Sequence, residues 1–127
     1  MLHLIKKILL LFFTSNQTMP NNQKNKMNNN LKIYNKLYYW INALNLKIWV
    51  ITTEEILPEQ VTYGDYVPQK DRYFVGIEID KENKIGTIYH DRELTEADII
   101  HELLHVKHPN KSEDWINKTE IILNQNK

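Results

Sequence analysis

The chain has 127 residues, a length typical of one domain with a modest core. Its 16 basic and 16 acidic residues balance, so no long-range field favours nucleic acid or an anionic membrane as a partner. The absence of cysteine excludes disulfides and zinc–thiolate sites and fits a reducing compartment. Any metal ion must therefore be held by His, Asp or Glu side chains.

The first thirty residues differ in composition from the rest of the chain. A short basic start precedes a six-residue apolar run, Ile8–Phe13, and residues 16–30 are mainly Asn, Gln and Lys, which is typical of a disordered linker. The apolar run is shorter than a usual signal-peptide core and is not followed by a small-residue cleavage site. It is also far short of the ~20 residues that span a membrane.

We therefore expect translation to begin downstream of this run, at Met19 or Met27, with a signal peptide or a weak membrane anchor as the alternatives. On this interpretation residues 1–30 are a non-globular segment and residues 31–127 form the folded domain. The expected location is the cytoplasm, and membrane association or export applies if the apolar run is real.

The next segments carry helix and strand patterns in turn. Leu31–Leu46 repeats apolar residues at helical spacing, which predicts a helix. Lys47–Thr52 is a short β-branched and aromatic run, which predicts a buried strand. Pro58–Arg72 combines Pro, Gly and Asp with tyrosines and is expected to be a loop long enough to have a function.

A hairpin and a helix follow. Tyr73–Asp80 and Ile85–His90 read as two strands joined by a tight turn. Thr95 is a good N-cap residue, and the apolar residues after it recur at three- and four-residue steps, as on the buried face of a helix. Since Pro109 disfavours helical geometry at the residue before it, this helix should end near Lys107.

A last helix completes the predicted fold. Ser112 is expected to cap it, with Trp115, Ile116 and Leu123 on one side. The order helix, strand, hairpin, helix, helix predicts an α+β domain with a small, mostly antiparallel three-stranded sheet. Because the final helix is apolar and follows a short hinge, it could pack on its own chain or join two copies as a homodimer.

The most informative feature is the segment HELLH, His101 to His105. Two histidines four residues apart lie on one face of a helix, close enough to bind one metal ion, and Glu102 can reach a water on that metal. This pattern of two imidazole ligands and a general base is typical of zinc hydrolases. We expect the polar face to point away from the buried stripe. The alternative is a surface helix whose histidines bind nothing.

The third ligand is left open by the sequence, although catalytic zinc normally has three protein ligands. Glu113 is favoured because it needs only the short turn between the two helices to approach the metal. Glu120 is the main alternative and requires the last helix to run back alongside the motif helix. The remaining possibilities are Asp114, His90 or no third protein ligand. His108 is not a candidate, because three ligands on one straight helix cannot surround an ion.

The segment IHELLHVKHPNKSEDWINKT, together with the helix and strands before it, resembles the minigluzincins, which are very small soluble zinc peptidases of prokaryotes. The resemblance covers about residues 31–127, and its most specific part is HELLH. It implies a zincin-like fold, with His101 and His105 as zinc ligands, Glu102 as general base and a glutamate of the next helix as third ligand. It also implies latent forms in which a C-terminal segment lies over the active site.

The chain departs from this family in one respect. The helix that supplies the third ligand usually carries a Glu-x-x-x-Asp pattern, and here Asn117 and Asn124 stand four residues after Glu113 and Glu120. Identification of the third ligand therefore needs the structure.

Together these features predict a zinc metallopeptidase that cleaves a peptide or protein substrate, with Glu102 accepting the proton of a metal-activated water. The substrate could add as a strand to an exposed sheet edge. The alternative from another class is a catalytically inactive, zinc-binding interaction module. The candidate oxyanion-stabilising residues are Tyr63, Tyr66, Tyr89, His90 and Arg92.

Overall fold

The computed structural model describes residues 21–57 and 74–127. In these residues the elements follow in the order α1 (Asn21–Ala43), β1 (Val50–Glu55), β2 (Val75–Asp80), β3 (Ile85–His90), α2 (Glu96–Lys107) and α3 (Glu113–Gln125). The predicted α+β class and the predicted order of elements are confirmed. The apolar run near the start and the loop after Pro58 lie outside the described residues. No helix in the described part of the chain is long and apolar enough to cross a membrane.

Helix α1 begins at Asn21 rather than Leu31 and ends at Ala43 rather than Leu46. The expected linker is therefore helical from residue 21 onwards, and the expected domain boundary falls inside α1. The side chains of residues 24–26 are exposed, so this part of the helix has no core contact that a sequence pattern would reveal. Extending an existing helix adds one hydrogen bond per residue without repeating the cost of nucleation.

The end of α1 is closed by local backbone geometry and by one lysine. Asn45 has a φ of 59°, the left-handed conformation common just after helices, and Leu46 N donates to Ile41 O at 2.8 Å. Lys107 Nζ, at the end of α2, donates to Leu44 O at 2.6 Å. The C-terminal ends of α1 and α2 are thereby joined.

The sheet has the strand order β1-β3-β2. Strands β2 and β3 pair antiparallel as the predicted hairpin, with Ile77 opposite Ile88. Strand β1 pairs parallel with β3, with Val50 opposite Ile85, so the sheet is mixed rather than mostly antiparallel. The long connection after β1 allows β2 to lie on the far side of β3, and the hairpin then returns the chain in the direction of β1.

Helix α2 lies at the centre of the domain, because it contacts α1, α3 and strand β2. Its predicted apolar stripe is confirmed as core: four of its side chains are almost fully buried. Helix α3 adds Ile116, which is also fully buried. The polar face of α2 is therefore held in a fixed place between β2 and α3. The largest fully buried side chains are Ile88, Ile99, Ile100, Leu103, Leu104 and Ile116.

Candidate metal centre

The start of α2 is fixed by a reciprocal capping box. Thr95 Oγ1 accepts from Asp98 N at 3.2 Å, and Asp98 Oδ2 accepts from Thr95 N at 2.8 Å. Arg92 adds two hydrogen bonds to the Asp98 carboxylate, at 2.7 and 2.8 Å. Partial burial alone would raise the pKa of Asp98, but the hydrogen bonds from Arg92 and Thr95 outweigh it and lower that pKa. The predicted cap is confirmed, and the polar network sets where α2 begins.

The two motif histidines are spaced as ligands of one ion. His101 Nε2 and His105 Nε2 lie 3.3 Å apart, and the ring centroids are 5.0 Å apart. In a tetrahedral zinc site with zinc–nitrogen bonds of about 2.0–2.1 Å, two nitrogen ligands are separated by about 3.3 Å. The spacing of these two atoms therefore fits the site without a change of backbone.

A five-residue connection, His108–Ser112, turns the chain from α2 into α3. Lys111 N donates to His108 O at 3.2 Å, and the His108 ring meets the Trp115 ring edge-on with centroids 4.9 Å apart. Ser112 caps α3 as predicted, since its hydroxyl accepts from Trp115 N at 3.1 Å. The first residue of α3, Glu113, is thereby placed next to the motif histidines.

Glu113 completes the cluster. Its Oε1 lies 2.7 Å from His101 Nε2, and its Oε2 lies 3.0 Å from His105 Nε2. The ligand atoms of these three residues all lie within 4.8 Å of one another, so the group can hold a metal ion. The carboxylate is a few tenths of an ångström closer to the imidazoles than ligands of one ion would be. Because the Glu113 side chain is 61% exposed, it has room to make that adjustment.

The other candidates for the third ligand lie elsewhere. Glu120 Oε1 is 4.0 Å from Nδ1 of His101, the ring nitrogen outside the cluster. Asp114 pairs with Lys118 at 3.0 Å. His90 Nδ1 lies 2.7 Å from Arg92 O, away from the cluster. Of the residues weighed from sequence, the structure brings Glu113 to the two histidines.

Glu102 is buried and only 6% exposed, although it is one of the polar residues that the helical pattern places away from the apolar stripe of α2. The sequence pattern, which sorts residues by polarity, does not show this burial. Burial, first, and then the negative charges of Glu113 and Asp98 raise the pKa of Glu102 to about 8. A carboxyl with a perturbed pKa beside a metal-ligand cluster is characteristic of a functional site.

A cleft of about 480 Å³ contains Glu102 and all three residues of the cluster. One wall is strand β2, which contributes Val75, Ile77 and Ile79, and the same alternation continues to Lys81. Sequence reasoning missed Lys81, although its position two residues after Ile79 would have placed it on that face.

The candidates for stabilising an oxyanion that belong to the described residues do not line the cleft. Among the described residues, Tyr89, His90 and Arg92 are absent from its lining, and Arg92 is engaged by Asp98. Tyr63 and Tyr66 lie outside the described residues. The cation that does line the cleft is Lys81.

Comparisons with protein-family models, with curated proteins and with solved structures found no match to this chain. The resemblance to the minigluzincins therefore stays a prediction, based on the motif and the order of the elements.

Proposed function

We propose that this chain is a zinc-dependent metallopeptidase. The observation that supports the proposal is that the ligand atoms of His101, His105 and Glu113 lie within 4.8 Å of one another, with the buried Glu102 in the same cleft. Two imidazoles and one carboxylate are a ligand set of catalytic zinc sites, which keep a further position open for water or substrate. When bound, zinc lowers the pKa of a water molecule and polarises a substrate carbonyl.

Glu102 is the proton-transferring group in this proposal. It lies in the cleft that holds the three ligands, and its carboxyl would accept a proton from water and deliver it to the leaving amine. It can accept that proton only as a carboxylate. Its high pKa of about 8 is partly due to the nearby charge of Glu113, and a positive charge held by the ligands would favour the ionised form instead.

The shape of the cleft supports a peptide as the substrate class. Strand β2 is an edge strand of the described sheet. It forms one wall of the cleft with the apolar side chains of Val75, Ile77 and Ile79. A peptide that pairs with a sheet edge is bound through its backbone, and neighbouring pockets then select side chains. The residues of α3 beyond Glu113 do not line the cleft, so the described geometry gives no support to latency through this helix.

One observation favours a different class of function. With a pKa of about 8, Glu102 is protonated at neutral pH in the metal-free chain and cannot act as a base there. If that state persists after metal binding, the chain is a zinc-stabilised interaction module without turnover. The two functions make the same prediction for zinc content and opposite predictions for peptide cleavage.

The first test is the zinc content of the purified full chain, measured by elemental analysis after loading at neutral pH. We expect about one zinc per chain and none in the double variant His101→Ala/His105→Ala. His108→Ala is the matched control, because His108 lies at the end of the same helix and contacts Trp115 instead of the cluster. Equal zinc in all three proteins would contradict the proposed site.

The second test separates the two functions. We expect the zinc-loaded chain to cleave a mixture of fluorogenic peptides, and Glu102→Gln to keep its zinc and lose cleavage by about 10²-fold or more. Removal of zinc by a chelator should stop cleavage, and added zinc should restore it. Zinc bound at one per chain without any cleavage would favour the interaction module.

A further inference from the structure

We propose that Glu120 is a positioning residue for His101, through its carboxylate facing Nδ1 of the imidazole. The inference rests on the metal-binding part of the proposed function and does not depend on peptide cleavage. Glu120 is not a ligand in this arrangement, because it faces the ring nitrogen that points away from Glu113 and His105.

The His101 ring lies between two carboxylates of one helix. Glu113 Oε1 is 2.7 Å from Nε2, and Glu120 Oε1 is 4.0 Å from Nδ1. The two glutamates are seven residues apart, about two helical turns, and so they project from the same face of α3. The side chains of His101 and Glu120 are only 17% and 19% exposed, which reduces the screening of their interaction by water.

The chemistry of imidazole explains what this placement does. A neutral histidine binds a metal through the lone pair of one ring nitrogen and carries its proton on the other. A carboxylate facing Nδ1 favours the proton at that atom, leaves the lone pair at Nε2, and holds the plane of the ring. At 4.0 Å the Glu120 oxygen lies beyond hydrogen-bond length from Nδ1, so the contact is an electrostatic one.

His105 provides an internal comparison. Its Nε2 contacts Glu113 and His101, but no carboxylate oxygen of the described chain lies within 4.0 Å of its Nδ1. The loss of Glu120 should therefore affect the ring of His101 and leave that of His105 unchanged. A general loosening of α3 would affect both rings, because both contact Glu113.

The first measurement is the zinc affinity of the full chain, by competition with a chromophoric chelator at neutral pH. We expect Glu120→Ala to weaken zinc binding about 10- to 100-fold, the usual effect of losing such a partner of a ligand histidine. Glu120→Gln, whose amide oxygen still accepts a hydrogen bond, should recover part of this loss. Asp114→Asn is the matched control, because it removes one negative charge from an exposed site on the same helix.

The second measurement is the ring ¹H–¹⁵N spectrum of the zinc-loaded protein, which reports on the Nδ1–H proton of each histidine directly. We expect the Nδ1–H proton of His101 to exchange slowly with water in the wild type and faster in Glu120→Ala. The exchange of the His105 proton should be the same in both proteins. Circular dichroism of the same samples checks that α3 remains folded, and the isosteric Glu120→Gln serves if the alanine variant does not fold.

Three results would overturn the inference: equal zinc affinity of Glu120→Ala and Asp114→Asn, an unchanged His101 proton, or equal changes at both histidines. A wild-type chain that binds no zinc would overturn both this inference and the proposed function. A chain that binds zinc, responds to Glu120→Ala and cleaves no peptide would support the inference and reject the peptidase.

Discussion

Lys127, two residues after the end of α3, donates from Nζ to Glu96 Oε1 at 2.6 Å, so the chain that follows α3 is joined to the first turn of α2. Oε2 of the same carboxylate accepts a hydrogen bond from Trp40 Nε1 of α1 at 2.8 Å. Lys36 Nζ, also of α1, lies 3.4 Å from Oε1. The Lys127 hydrogen bond is the largest of the effects that lower the pKa of Glu96. One carboxylate of α2 therefore contacts both α1 and the chain that follows α3.

We predict that Glu96→Ala lowers the free energy of unfolding by about 1–2 kcal/mol, measured by urea denaturation at pH 7. The change leaves the indole N–H of Trp40 without its acceptor, and Trp40 is only 4% exposed. A buried donor without a partner costs about 1–3 kcal/mol. Glu93→Ala is the control, because Glu93 is exposed. Equal effects of the two changes would argue against Glu96 as the connecting group.

The Asp98 carboxylate predicts a loss of stability in acid. Since its pKa in the folded chain lies below the ordinary 3.8, Asp98 contributes stability that is present above pH 3.8 and is lost as the pH falls through the folded-state value. We expect Asp98→Asn to lower the free energy of unfolding by about 1–2 kcal/mol at pH 7, because it removes the charge-assisted bonds from Arg92.

The measurement is urea denaturation of Asp98→Asn and the wild type at pH 7 and in steps below pH 4. The difference in the free energy of unfolding between the two proteins should narrow as Asp98 of the wild type takes up its proton. Asp114→Asn removes an exposed pair with Lys118 and should change stability by less than about 0.5 kcal/mol at either pH. A gap that stays constant with pH would mean that the charge of Asp98 is not what stabilises α2.

Zinc should raise the thermal unfolding midpoint of the full chain. A ligand that binds only the folded state raises the free energy of unfolding by about 2.7 kcal/mol when its free concentration is 100 times its dissociation constant. For a domain of this size, that increase raises the unfolding midpoint by about 10 °C. We expect no such increase for Glu113→Gln, which lacks the proposed third ligand. Glu113 is mostly exposed, so without zinc the variant should unfold close to the wild type. A full zinc-dependent increase in Glu113→Gln would exclude Glu113 as a ligand.

In the metal-free chain, Glu102 should make stability fall as the pH rises, which is the opposite of the effect of Asp98. Its folded-state pKa of about 8 is above the ordinary 4.5, so the folded chain binds this proton more tightly than the unfolded chain. Stability is then highest below pH 4.5 and falls as the pH rises towards 8, by at most about 1.4 kcal/mol per pH unit. We expect Glu102→Gln, after treatment with a chelator, to be more stable than the wild type at pH 8 and similar near pH 4, below the ordinary pKa. A pH-independent difference would show that Glu102 does not titrate in this range.

The parts of the site that lie within one helix were predictable from sequence. Thr95, the spacing of His101 and His105, and the stop before Pro109 are local signals, because caps and helix faces depend on residues three or four apart. The hairpin from β2 to β3 was predictable for the same reason, and the bounds of β3 agree with the structure.

The parts that depend on packing between elements were not predictable. Glu113 and Glu120 share one face of α3, and only the geometry of the turn decides which of them reaches Nε2 of His101. The burial of Glu102 depends on the elements packed around α2 and cannot be read from the polarity of the residue. The parallel pairing of β1 with β3 also depends on contacts between distant segments.

The connection His108–Ser112 makes the site sensitive to chain length. Metal affinity is usually attributed to the identity of the ligands, but here one proposed ligand, Glu113, is the first residue of a helix that follows α2 after only five connecting residues. One residue added to this connection would change where α3 begins relative to α2, and Glu113 and Glu120 would both lose their present distances from His101 unless the turn absorbs the change. Substitutions are therefore expected to be tolerated in this segment more easily than insertions or deletions.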